Sequence, residues 1–243
     1  MTVLLKVCGA TSRNDVALLA AAGADLIGLW HGIPDGHADL SLGRFTALAR
    51  ACRAEPGTPV RPAPEPMLVT FLRDPTAVLG AARAGDVRWL QLHGYQPPGM
   101  VAAIKRAWPE ATVVKVLHVT GDVCAERLLL ASYERAGTDV FLFDATGTGG
   151  RVGSTGLSLD PDVVIDLAEA TTRPFLLAGG ISAATRERYE KVAAHPRFAG
   201  VDVDTAARDV TGAFCADSVS GLRRHWRAVR SGRGDPASVG AAA

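Results

Sequence analysis

The sequence predicts an α/β chain closed into a (β/α)8 TIM barrel, on three observations. Short apolar runs alternate with longer Ala/Leu/Arg stretches along most of the chain. The apolar runs are rich in Val, Leu, Phe and Ile and lack full polar alternation, as expected for parallel strands covered on both faces. Eight such runs occur, each followed by a stretch that reads as a helix. The rival architecture, an open doubly wound sheet, carries its glycine fingerprint after the first strand. No GxGxxG follows Val7.

The expected strands are TVLLKV from Thr2, DLIGLW from Asp25, PMLVTFL from Pro66, RWLQLH from Arg88, TVVKVL from Thr112, DVFLFD from Asp139, PFLLAGG from Pro174 and GVDVD from Gly200. Ser12 is the expected N-cap of a helix through VALLAAA that Gly23 closes. Ser41 caps a helix from Leu42 to Arg53. Asp74 then Pro75, and Asp160 then Pro161, read as a cap followed by a first-turn proline. Further helices are expected over Pro97–Trp108, Val123–Arg135, Pro161–Ala170, Ala183–Ala194 and Val219–Val229. The proline-rich stretch Pro56–Pro66 reads as an exposed loop. Residues 1–229 read as one barrel domain. The tail 230–243, made of Gly, Pro and small residues without periodicity, is expected to be disordered.

Composition narrows the function. The 243 residues are 48% hydrophobic and 21% charged, average for a soluble domain and unlike a disordered chain. A net charge of +1 gives no field to attract nucleic acid or a membrane surface. Aromatic residues, at 6%, are too scarce for a single-strand stacking platform. Cys8, Cys52, Cys124 and Cys215 form no CxxC pair, which argues against a disulfide scaffold and a zinc site. No secretion signal and no apolar run of about 18 residues are seen, so a cytoplasmic, reducing setting is expected.

In such barrels the chemistry lies on the loops at the C-terminal ends of the strands. Candidate groups follow by position. They are Lys6–Gly9 after strand one, Trp30–Gly32 after strand two, Gln91–Gly94 after strand four, Asp144 after strand six, Gly179–Gly180 after strand seven and Asp204–Thr205 after strand eight.

Seven segments, KVCG (Lys6–Gly9), AGAD (Ala22–Asp25), QLHG (Gln91–Gly94), LFD (Leu142–Asp144), GSTG (Gly153–Gly156), LAGG (Leu177–Gly180) and GVDV (Gly200–Val203), resemble the phosphoribosylanthranilate isomerase family, the tryptophan-pathway barrel. They stand in the family's order, at the expected strands and loops, over nearly the whole chain up to about Trp226. The resemblance implies an Amadori rearrangement of a small-molecule N-linked aminoaldose to a 1-amino-1-deoxyketose, without metal or organic cofactor. It implies Cys8 as the base and Asp144 as the acid. By themselves, Cys8 reads as a small buried apolar residue and Asp144 as a cap. His93 is expected to shape the pocket. Gly179, Gly180 and Thr205 are expected at an anion, although a glycine pair after a strand is also an ordinary tight turn.

A thiol acting as base at neutral pH is expected to have its pKa lowered from about 8.5 by positive charge or helix N-termini. Lys6 shares the strand face of Cys8 and is expected to pair with Asp202 on the neighbouring eighth strand.

Two departures from the family bear on substrate. The strand-two loop, WHGIPDGHADLSLGR, lacks the family's Ser-Pro-Arg segment; Arg44, His31 and His37 are its polar residues nearest that role, with Arg44 expected in the helix after Ser41 and each histidine reading rather as a solvated loop residue. After GVDV the family has Ser-Ser-Gly, and this chain has Asp204-Thr205-Ala206. A carboxylate about 4 Å from a phosphate costs about 4 kcal/mol per charge pair at an effective dielectric of about 20, unless Arg208 turns inward to offset it. The sequence therefore admits an aldose–ketose isomerase, a paralogue using the same acid–base pair on a different substrate that need not be phosphorylated, and a non-catalytic binding barrel. It leaves the oligomeric state open.

Overall fold

Strand β1 (Leu4–Cys8) takes its neighbours from both ends of the chain. Lys6 pairs in register with Leu26 on β2 and with Asp202 on β8. The computed structural model describes residues 3–57, 62–147 and 157–227. The GSTG segment, Val229 and the tail 230–243 lie outside the described residues.

The remaining strands are β2 (Leu26–Trp30), β3 (Glu65–Thr70), β4 (Trp89–Leu92), β5 (Thr112–Thr120), β6 (Val140–Ala145), β7 (Phe175–Leu177) and β8 (Phe198–Val203). All eight pair in parallel with both neighbours, and the β4–β5 and β8–β1 pairings make the ring continuous. The fold is a (β/α)8 barrel.

The strands are apolar on both faces because the barrel has two cores. Leu26, Met67, Val69, Val114, Val116, Leu142 and Leu176 fill the ring. Leu5, Val7, Ile27, Leu68, Leu90, Phe141 and Phe143 pack outward beneath the helices. Side chains alternate along a strand, so inward positions near the C-terminal ends are the ones that can reach the barrel mouth. There the inner face turns polar: Lys6, Gln91, Asp144 and Asp202 are all buried.

The helices are α1 (Arg13–Ala22), α2 (Leu42–Ala54), α3 (Pro75–Gly85), α4 (Pro98–Ala107), α5 (Leu130–Ala136), α6 (Pro161–Glu169), α7 (Glu190–Ala193) and α8 (Ala216–His225). Their starts follow the expected caps. Ser12 and Asp15 form a reciprocal capping box, and the carboxylates of Asp74 and Asp160 accept from N–H groups two residues on, each with proline in the first turn.

Three helices differ from expectation. The segment Val123–Arg135 does not begin as a helix. Val123–Cys124 folds back antiparallel on the end of β5, a 3₁₀ turn follows at Arg127–Leu129, and only then does α5 start. The Glu126 carboxylate accepts from the His118 N–H at 2.9 Å, which ties this segment to the strand end. Ala183–Ala194 is helical only from Glu187. Upstream, the side chains of Ser182 and Thr185 bond each other's backbone N–H groups, which competes with helix formation. Helix α8 begins three residues before the expected Val219 and ends at His225.

Candidate active site

A cavity of about 280 Å³ opens at the C-terminal mouth of the barrel. Cys8, His93, Asp144, Gly179, Gly180, Asp204 and Thr205, all singled out in the sequence, line it together with Trp30, Asp202 and Ser182.

Cys8 reaches the cavity because it ends β1 on the inward face, two residues above Lys6. The space around it depends on Gly28: a Cβ there would stand 2.8 Å from Cys8 Sγ and 3.2 Å from Lys6 Nζ. Lys6 is fully buried, and its Nζ lies 2.7 Å from Asp202 Oδ1. Burial is the largest influence and opposes the ammonium charge, but Asp202 and Cys8 together outweigh it and raise the Lys6 pKa. Burial drives Asp202 upward as well, yet a carboxylate 2.7 Å from an ammonium is the charged partner of an ion pair.

The expected lowering of the Cys8 pKa is not found. Burial pushes the thiol up to about 11, and Lys6 only partly opposes this because Asp202 and Asp204 act in the other direction. The sulfur accepts a hydrogen bond from the indole Nε1–H of Trp30 at 3.0 Å, and the Lys6 ammonium is a second hydrogen-bonding neighbour.

Asp144 ends the inward face of β6 and is 6% exposed. His93 Nε2 lies 3.4 Å from Asp144 Oδ2. The other ring nitrogen, Nδ1, is 2.7 Å from the Gln91 amide nitrogen. With that amide donating, Nδ1 is the acceptor and Nε2 carries the hydrogen facing the carboxylate. The His93 carbonyl accepts from His118 Nε2 at 2.8 Å, and His118 Nδ1 lies 2.6 Å from Glu126 Oε1. Glu126 is 3.6 Å from Lys115 Nζ. Burial lowers the Lys115 pKa to about 8, with Glu126 opposing. This buried polar cluster fixes the strand end that carries His93.

Gly179 and Gly180 both have positive φ, 82° and 61°. A Cβ at Gly179 would meet Ala145 Cβ at 2.7 Å, and one at Gly180 would meet Ser158 Oγ at 2.2 Å. Only glycine brings backbone to the cavity wall along this path. Opposite them Asp204 precedes a 3₁₀ turn, Thr205–Ala207. Arg208 turns inward: its Nε donates to Asp204 Oδ1 at 2.6 Å and its Nη2 to the Gly9 carbonyl at 3.2 Å, with the guanidinium over the Phe214 ring. The carboxylate is therefore partly neutralised.

The β2 loop behaves differently from expectation at one residue. His31 is not a solvated side chain: Nδ1 lies 2.7 Å from the Leu40 carbonyl oxygen and the ring stacks on Phe45. His37 is exposed, with its ring edge-on to Trp30. Arg44 sits in α2 as expected and donates to the Thr11 carbonyl at 2.8 Å. Cys52 lies within α2, Cys124 in the short return strand, and Cys215 caps α8, all apart from the cavity lining.

Sequence reasoning missed two parts of this site. Trp30 appeared as a strand end without a role, and the inward parity of β2 is the signal that places it beside Cys8. The His118–Glu126 contact had no sequence signal, because Glu126 reached it through an unexpected return strand.

A model of the family described as N-(5'phosphoribosyl)anthranilate (PRA) isomerase matches residues 58–207. This chain belongs to the PRA isomerase family. The family's named members include an Azorhizobium caulinodans isomerase, 31% identical, covering 95% of this chain and 94% of that protein. The Afipia carboxidovorans PRA isomerase is 29% identical, covering 95% of this chain and 92% of its own length. Among solved structures, a Pyrococcus furiosus PRA isomerase superposes with a TM-score of 0.70 at 19% identity, covering 92% of this chain and 98% of that one. The Thermus thermophilus PRA isomerase gives 0.69 at 24% identity, covering 91% and 97%. The family is one of isomerases, and among the described residues no helix is long and apolar enough to cross a membrane.

Proposed function

We propose that the cavity performs an Amadori rearrangement on N-(5'-phosphoribosyl)anthranilate, with Asp144 as acid and Cys8 as base. Asp144 gives a proton to the furanose ring oxygen. The ring C1–O bond breaks and the nitrogen lone pair forms the C1 iminium of the opened sugar. Cys8 then takes the C2 proton, and the electron pair left behind makes the enolamine, which tautomerises to the aminoketose. The observation that carries this reading is that a thiol and a carboxyl group, from strands on separate parts of the ring, line one cavity. Gly179, Gly180 and Thr205 serve the phosphate as backbone and hydroxyl donors, and His93 supports Asp144.

Asp204 favours a second reading, an unphosphorylated substrate handled by the same pair. Arg208 weighs against it, because its guanidinium at 2.6 Å offsets the carboxylate's repulsion of a phosphate. A small-molecule substrate and a reducing, cytoplasmic setting are consistent with four cysteines that are all free thiols.

The test follows the loss of anthranilate-sugar fluorescence on adding the purified protein. Turnover in the ordinary range of about 1–1000 per second supports the first reading. Cys8→Ala and Asp144→Asn should each reduce kcat by about 10²–10⁴-fold. Inertness toward this compound, with turnover of its dephosphorylated form, supports the second reading. Full activity of both variants removes the acid–base assignment.

A further inference from the structure

Trp30 ends β2 at a position where its ring is half-buried and lines the cavity. Its indole Nε1–H donates to Cys8 Sγ at 3.0 Å. His37 packs edge-on against the ring with centroids 4.8 Å apart, and the backbone that carries it is fixed by the Trp30 carbonyl accepting from the Leu40 N–H at 3.0 Å. The indole is thus a fixed donor aimed at the sulfur from within the cavity wall.

A thiol accepts hydrogen bonds weakly, and a thiolate accepts them strongly. A fixed N–H therefore favours the ionised form over the neutral one. The charges around the sulfur leave room for such a donor to matter. Lys6 also hydrogen-bonds the sulfur, but it shares its charge with Asp202, and Asp204, just past the end of β8, adds a second carboxylate. Asp144 and His93 share the cavity. Beside the sulfur, Trp30 is the neutral donor, and it brings no counter-charge to be neutralised.

We infer that Trp30 is a positioning residue for the base: its indole N–H holds the negative charge that forms on Cys8 Sγ and fixes the sulfur's direction in the cavity. This rests on the reading of Cys8 as base. It assigns a chemical task to the indole nitrogen beyond its ring volume.

The experiment compares Trp30→Phe, which keeps an aromatic ring and removes the donor, with Trp30→Leu, which removes both. Cys8 alkylation by iodoacetamide is followed by peptide-resolved mass spectrometry between pH 7.5 and 9.5, so the other three cysteines do not interfere. The full pH profile of kcat/KM is measured on the same proteins. Both variants should alkylate Cys8 about tenfold more slowly at each pH. The Phe variant should lose about tenfold in kcat/KM, with the alkaline limb moved to higher pH. Phe behaving like the natural protein, with loss only in Leu, shows a ring that merely fills space and overturns the inference. The two readings fail separately. If Cys8→Ala keeps its turnover while Trp30→Phe still slows alkylation, the base assignment falls and the indole–thiol contact stands. If Cys8→Ala is inactive and Trp30→Phe alters neither alkylation nor kcat/KM, the Trp30 inference falls alone.

Discussion

Lys6 Nζ and Asp202 Oδ1 stand 2.7 Å apart beneath the cavity, and the pair decides how much positive charge reaches Cys8. Both groups are buried, so each depends on the other for its charge. Asp202→Asn removes the counter-ion and leaves the ammonium buried alone. The variant should lose about 3–5 kcal/mol of unfolding free energy, read as a lower midpoint in urea denaturation. In the protein that remains folded, the freed ammonium acts on the thiol, so Cys8 should alkylate faster at pH 8. Unchanged stability would show that the pair is replaceable by a neutral contact.

The pH dependence follows from the raised thiol pKa. The proposed pair, Cys8 as base and Asp144 as acid, needs a thiolate and a carboxylic acid, one proton held between two groups. Cys8 keeps its proton up to about pH 11 because it is buried. A raised pKa delays loss of that shared proton, so it moves the alkaline limb upward. kcat/KM should stay level through neutral pH and should not decline between pH 8 and 9.5. A limb centred near 8.5, where an unperturbed thiol titrates, would contradict this placement of the proton.

Gly28 is the residue that makes room for Cys8, the proposed base. Gly28→Ala sets a methyl group 2.8 Å from Cys8 Sγ and 3.2 Å from Lys6 Nζ. Either side chain must move. The expected cost is about 1–3 kcal/mol in stability, accompanied by a fall in kcat, because the sulfur is displaced from its donor and from the cavity. Thermal unfolding and steady-state kinetics on one preparation check both halves. A variant with natural kcat would mean that the thiol tolerates displacement.

Arg208 carries the balance of charge at the loop after β8. Its Nε–H bonds Asp204 at 2.6 Å. Arg208→Ala leaves the carboxylate less compensated, and the repulsion felt by a substrate phosphate rises. KM should increase by about 10–10³-fold with a much smaller change in kcat, a range bounded by about 4 kcal/mol for one uncompensated pair at 4 Å. Asp204→Ser in the same background should restore most of the loss. An unchanged KM in Arg208→Ala would place the phosphate elsewhere.

The fold was legible because its signals are local and repeated. Eight apolar runs gave eight strands, and the Asp-Pro pairs at 74–75 and 160–161 marked helix starts that the structure keeps. What the sequence misread is where side chains override the pattern. Ser182 and Thr185 bond backbone that a helix would use, and Glu126 draws the 123–129 segment back onto β5. The candidate site was legible through strand ends, since position along a barrel strand fixes the face. All seven chosen residues line the cavity. The state of Cys8 was not legible. Its proton affinity depends on burial and on Lys6, Asp202 and Asp204, whose distances no local pattern encodes.

The seam between β1 and β8 joins residues 196 positions apart in the contact of Lys6 with Asp202. At translation rates of roughly 5–20 residues per second, a nascent chain makes its first strand some 10 to 40 seconds before the last one exists. Throughout that interval Cys8, the proposed base, is tethered to an ammonium without its counter-ion. The surroundings of the proposed base are therefore complete only once the last strand is made, and a premature stop upstream of that strand releases a polypeptide whose Cys8 sulfur has never met them.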